Sequence, residues 1–366
     1  MSTSSNFSKK RPAAFTLCLI SSFFLAVVLA IDNFNARLIG QPAALLLNSE
    51  SGSSKFLAAL VYLPLGGLIG IVTQFFFAKF VGRKINPDFT GLRWYSFKSH
   101  RFALLAGFAG AGSTAFYLWG SQEVDPSVIT VLGNVSIMYV IAYEVIKKEA
   151  TLHQLLFPSF LIFLGSLLVP LKDFHGLKDL SSLNTIISVL FILVVGRGIT
   201  YASGSIFEQR GIRRHTMEVV NFAFWRFVWL AFFGTLLALS FTIMTGQLAL
   251  WWQILRTVFW SVLPLIIVLM LCAFIANTTS AAARQSASAS TVALLLSMSA
   301  ILSFPITLIA HAVKPNIFGK LPEVWWLWLL RIVGTILVIS GAIRLRYQEE
   351  ANLRQIATAH SDMEST

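Results

Sequence analysis

Charge is scarce in this chain. Of 366 residues only 12% are Asp, Glu, Lys or Arg, against about 25% in a soluble globular domain. That is too few to cover a water-facing surface, so an ordinary soluble protein is excluded. Cysteine is almost absent: Cys18 and Cys272 both fall inside apolar runs, which argues against a disulfide framework or a thiolate metal site and for two buried thiols. The six histidines (His100, His153, His175, His215, His311 and His360) lie in loops, at span ends or in the tail, and none pair at metal-ligand spacing. No H-E-x-x-H, G-x-S-x-G or phosphate-binding glycine loop occurs. The chain therefore does not read as an enzyme, no cofactor or metal is expected, and ATP is not expected to drive it directly.

What is present is apolar sequence, 56% of the chain. Runs of 18 or more apolar residues mark membrane spans, and they recur at 13–35, 56–80, 102–120, 126–146, 152–170, 184–207, 218–244, 254–279, 288–312 and 322–344. A single such run could be a signal peptide, but ten could not. Each is expected to be a helix, because lipid offers no partner for a free backbone N–H or C=O. Runs such as Leu265 to Leu271 lack the alternation of barrel strands. The expectation is an all-α integral membrane protein of about ten transmembrane helices, with a 1–12 N-terminal segment and a 345–366 tail. The tail is expected to extend the last helix a few turns and then fray.

The net charge of +12 points to topology rather than to nucleic acid. With the N-terminus inside, the inside segments carry 18 Lys and Arg and the outside segments 7. Such a bias orients membrane proteins. Both termini are thus expected in the cytoplasm, with the chain a multi-pass protein of the plasma (inner) membrane.

The two halves, 13–175 and 176–344, resemble each other. Phe160 to Val169, with Gly165, matches Leu329 to Val338, with Gly334. Asn35-Ala36-Arg37 parallels Glu208-Gln209-Arg210, and Val128 to Leu132 resembles Thr291 to Leu295. Five spans per half is an odd number, so the halves would cross the membrane in opposite senses. This is the inverted repeat common in secondary transporters.

Ten spans in a 5+5 inverted repeat with both termini inside resemble the drug/metabolite transporter superfamily, in its EamA-like branch. The residues carrying the likeness are Ser127 to Val169 and the counterpart Ser288 to Gly341. The end of span one, with Asn33, Asn35 and Arg37, is similar to that of some multidrug-efflux-type members, and Arg226 sits where many members carry an arginine. Span four has Asn134 and Ser136 where many have a proline. The resemblance implies a central cavity lined by helices one, three, four, six, eight and nine.

Ionisable groups inside a span cost roughly 2.5–3.5 kcal/mol on insertion scales and so tend to face protein or water. Arg197 is the sharpest candidate. It lies deep in span six between Gly196 and Gly198, with Tyr201 one turn on, and reads either as a clamp for a substrate carboxylate or phosphate or as half of a structural ion pair. Asp32 reads as a gate, a proton site or a hydrated helix end, with Asn35 one turn beyond. Arg226 lies among aromatics, where arginine is often structural. Glu144 is expected to snorkel toward Lys147 and Lys148. The remaining candidate binding residues are polar side chains on the cavity helices: Tyr117, Thr130, Asn134, Asn277, Thr278 and Gln285. Buried amides need several partners, and Pro264 and Pro305 are expected to kink their spans. The expected function is a secondary carrier of a small metabolite or amphipathic solute. Proton coupling and counter-substrate exchange stay open, as do a monomer and a homodimer. A channel, an embedded enzyme and a scaffold are the alternatives.

Overall fold

The computed structural model describes residues 14–46, 52–87, 89–123, 133–147, 152–168, 191–214, 217–313 and 325–364. Every regular element among them is helical. The first half holds α1 (Ala14–Leu46), α2 (Gly52–Ile85), α3 (Phe97–Glu123), α4 (Ser136–Ile146) and α5 (Leu152–Leu168). A π-helical turn, Phe191–Arg197, then runs into α6 (Gly198–Arg213). The rest comprises α7 (Val219–Met244), α8 (Leu248–Thr257), α9 (Phe259–Ala283), α10 (Ala289–Leu296), α11 (Ser299–Val313) and α12 (Trp325–Glu364).

Six helices contain stretches long and apolar enough to cross a membrane: Ala14–Asp32, Leu60–Ile85, Phe97–Gly120, Val219–Met244, Phe259–Ala283 and Trp325–Arg344. Their outward faces are apolar. Leu68, Val72, Phe75 and Phe76 form an exposed stripe on α2, and Leu329, Ile332, Ile336, Ile339 and Ile343 form one on α12. Both follow the helical repeat of three and four residues. Water would penalise such surfaces and hydrocarbon would not. The protein is a membrane protein.

Among the described residues, the other predicted spans give shorter or interrupted helices. Where one helix was expected over 288–312, α10 and α11 are separated at Ser297–Met298. The break falls there rather than at Pro305. Ser297 N–H is shared between Ala293 O and Leu294 O, Met298 N–H turns tightly to Leu295 O, and the Ser297 hydroxyl also donates to Leu294 O at 2.6 Å. Extra acceptance by one carbonyl bends a helix. The span predicted at 254–279 lies instead at 259–283. The residues before it form the separate amphipathic α8, which buries Ile254 and exposes Trp252. Gly246, at φ +69°, takes the left-handed turn between α7 and α8 that a Cβ would disfavour. The tail continues α12 as helix to Glu364, further than the few turns expected.

The predicted halves interlock. α1 packs along α9, and α3 along the π turn and α6. α2 meets α7 at the centre of the bundle, and α2 also touches α9 while α3 touches α7. α1 reaches α10 and α11, α4 reaches α6 and α10, and α5 pairs with α12. Small residues set the close approaches. A Cβ at Gly67 would stand 2.9 Å from the Ala231 Cβ, and one at Gly107 would stand 2.8 Å from the Arg226 carbonyl, so α2 and α3 lie almost backbone to backbone with α7. Gly165 of α5 lies directly against the Gly334 carbonyl of α12. These are the small-residue contacts that pack helices in lipid, where apolar burial alone supplies no driving force.

Candidate functional site

A cavity of about 270 Å³ runs between α1, α2, α3, α6, α7 and α9. Helices two and seven of the predicted ten thus contribute Tyr62 and Arg226, while the family resemblance implied helices four and nine. Of the latter pair only Leu296, at the end of α10, reaches the cavity among the described residues.

One face of helix six supplies the longest polar wall. Arg197, Thr200, Tyr201, Gly204, Ser205 and Glu208 all line the cavity. Their spacing of three and four residues puts them in one stripe, about 16 Å long at 1.5 Å per residue. The stripe joins two charged ends.

At the Asp32 end, the Tyr62 hydroxyl donates to Asp32 Oδ1 at 2.9 Å, and Asn35 Nδ2 donates to the Tyr62 oxygen at 3.5 Å. Arg197 stacks over the Tyr117 ring, 4.9 Å from its centroid. Gly133 also lies against the guanidinium, for a Cβ there would come within 2.5 Å of Nη1. Asp32 is half-buried in the cavity wall that also holds Arg197, and α1 continues beyond it to Leu46.

At the opposite end, Arg226 Nη1 donates to Glu208 Oε2 at 2.6 Å, and Arg284 Nε stands 3.6 Å from the same oxygen. Arg284 Nη2 donates to the Ser205 hydroxyl at 3.4 Å. The Arg284 and Glu208 side chains are 2% and 3% exposed. One carboxylate thus faces two guanidinium groups in a nearly dry setting, where charge is costly unless compensated.

Of the predicted binding residues, Arg197, Tyr201, Tyr117 and Asn277 line the cavity. Asp32 joins them, and Asn35 stands behind Tyr62. Thr278 is fully buried and donates to Phe274 O at 2.7 Å, within its own helix. Gln285 sits in the turn after α9, outside the cavity lining. Asn134 also stands outside it, with a buried Nδ2 that finds no partner among the described residues. Thr130 lies outside the described residues. Two further expectations are corrected. Arg226 is an ion-pair partner in the cavity wall rather than a residue held only by aromatics. Glu144 does not snorkel: it is buried and accepts the Ser290 backbone N–H, at 3.2 Å, and the Ser290 hydroxyl at the start of α10, where a helix N-terminus favours a carboxylate.

Glu208 and Arg284 line the cavity as well and are not among the residues expected from sequence to form the site. The signal was periodicity. Glu208 continues the Arg197–Tyr201–Ser205 stripe by one turn, and Arg284 continues the Asn277–Ser280 face of α9.

No family model matches the chain, and no curated protein matches it. Twenty-six chains of solved structures match it in fold. One, described only as "Crystal structure of protein", superposes with a TM-score of 0.54 at 13% identity, covering 90% of this chain and 95% of that one. At that identity the likeness concerns the fold alone.

Proposed function

We propose that the chain is a secondary transporter of a small solute, working by alternating access, with ten spans arranged as a 5+5 inverted repeat of the drug/metabolite transporter type. In this reading the π turn with α6 is span six, α7 span seven, α9 span eight, α10 with α11 span nine and α12 span ten. The observation that carries the proposal is a charged cavity enclosed between two interlocking halves of a membrane protein. Carriers place their site there, near the repeat interface.

The helix pairings support the repeat. Exchanging each span with its counterpart five spans on turns the α1–α9 contact into the α6–α3 contact. It also turns α2–α9 into α7–α3 and α1–α11 into α6–α4, and all of these contacts occur. The self-paired contacts of such an exchange, α2–α7, α4–α10 and α5–α12, occur too. The matched glycines, Gly165 and Gly334, meet each other, as counterparts on a two-fold axis would. The cavity ends also correspond: each joins the later part of a half's first helix to its second helix, Asp32 and Asn35 to Tyr62, and Glu208 to Arg226.

The positive-inside bias puts both termini in the cytoplasm. The test is counterflow. Purified protein in liposomes, loaded with a solute chosen by thermal-shift screening, is expected to accumulate labelled external solute faster than protein-free vesicles, with saturation. Linear flux without exchange would instead identify a channel, and no flux for any stabilising ligand would refute transport.

A further inference from the structure

The Glu208 end of the cavity is not charge-balanced. Among the described residues its wall holds one carboxylate, Glu208, and two guanidinium groups, Arg226 and Arg284. The imbalance has a direction. Glu208 is committed to Arg226 by a 2.6 Å hydrogen bond, while Arg284 is only in ion-pair range. Three guanidinium N–H positions have no hydrogen-bond partner among the described residues: Arg226 Nε, Arg284 Nε and Arg284 Nη1. Arg284 is 2% exposed, so bulk water does not serve its two unmade donors. A buried donor left unmade carries its full desolvation cost, and a fixed fork of N–H groups matches two oxygens of a planar or tetrahedral oxyanion.

We propose that this end of the cavity binds an oxyanion, the carboxylate or phosphate group of the transported solute, on Arg284 with Arg226 beside it. The inference rests on the cavity being the carrier's solute site and specifies the solute's chemistry. It also moves anion recognition away from Arg197, whose guanidinium is in contact with the Tyr117 ring and with Gly133 at the other end. The cavity volume, about 270 Å³, leaves room for a small-molecule solute. The Asp32 end holds one carboxylate and one guanidinium group, Asp32 and Arg197, whereas the other end holds one carboxylate and two, so the surplus positive charge orients the solute with its oxyanion toward Arg226 and Arg284.

The test uses the full chain in neutral detergent at constant ionic strength. Chloride is replaced stepwise by inorganic phosphate or by acetate, and the melting temperature is followed. A saturable rise is expected with at least one of the two, and which one distinguishes a phosphate-bearing from a carboxylate-bearing solute. Arg284→Met should weaken the apparent affinity at least about tenfold, since it removes charge-assisted donors. Arg284→Lys keeps the charge beside Glu208 but not the fork, and should weaken affinity as well. Arg256→Met, on α8 outside the cavity wall, is the control and should leave it within about threefold, a change below the worth of one such bond, while Arg197→Met reports on the other end of the cavity. No saturable rise with either anion overturns the site. So does an equal rise in wild type and in both Arg284 variants, which marks general salting, or a loss confined to Arg197→Met. Vesicle counterflow with the effective anion separates the two ideas. Binding without flux refutes the carrier and leaves the site, whereas flux of uncharged solutes without anion binding does the reverse.

Discussion

Replacing Glu208 by Gln keeps the size of the side chain and removes only its charge. Two attractions disappear, to Arg226 at 2.6 Å and to Arg284 at 3.6 Å, and the buried Arg284 and part-buried Arg226 guanidinium groups are left without their shared carboxylate. Unit charges about 4 Å apart interact by about 4 kcal/mol at an effective dielectric of 20, and breaking a buried ion pair typically costs about 3–5 kcal/mol. Glu208→Gln should therefore destabilise the protein by about 3–5 kcal/mol. Arg284→Met behaves differently. It removes one attraction and one repulsion together and leaves the Glu208–Arg226 pair balanced, so its effect should stay within about 1 kcal/mol of zero, as replacing buried ions by apolar groups often does. The double variant then retains only Arg226, whose side chain is 18% exposed and can draw on cavity water. It should be more stable than Glu208→Gln alone, with a coupling of about 2–3 kcal/mol, at the upper end for contacting residues. Denaturant or thermal unfolding of the four proteins in one detergent measures this cycle. Strict additivity, or a Glu208→Gln protein as stable as wild type, would refute the charge argument.

The Gly165→Leu variant drives a side chain into the Gly334 carbonyl and Val338. It should cost about 1–3 kcal/mol, as overpacking does, and lower the melting temperature without changing solute affinity in the folded fraction. Asn221 ties the segment before α3 to the start of α7: it accepts from the Arg93 backbone N–H at 2.9 Å and donates to Gly91 O and Glu218 Oε2, each at 3.0 Å. Asn221→Ala should cost about 1–3 kcal/mol and make residues 86–96 cleavable by protease, and unaltered melting and cleavage would contradict that role. Cys18 and Cys272 are buried, so single added cysteines report topology cleanly. Asn316→Cys should react with an impermeant thiol reagent on intact cells and Lys98→Cys only after permeabilisation, and the reverse pattern would invert the orientation. If a proton drives transport, Asp32→Asn, which can still accept from Tyr62, should abolish the response of vesicle flux to an imposed pH gradient; an unchanged response would remove Asp32 from coupling.

Local physics made much of this molecule legible from sequence. Apolar runs must insert and must be helical, because that preference depends on each segment and its solvent and not on the rest of the chain. The membrane class and the positions of the long helices follow from that. Even the polar stripe on helix six is written in its spacing, as far as Glu208. The tertiary structure decided which stripes meet. Glu208, Arg226 and Arg284 lie on three different helices, and their meeting depends on the rotation and depth of each, which no local pattern encodes. Asp32 illustrates this: it closes the apolar stretch of α1, but only the packing of α2 against it sets Asp32 beside Tyr62 in the cavity wall. Glu144 illustrates the pairing problem, since nearby lysines in sequence lost to Ser290 at a helix start 146 residues away. The sequence by itself determined what crosses the membrane. Packing of the helices, set by close contacts such as Gly67 on Ala231 and Gly107 on the α7 backbone, determined which buried charges confront one another.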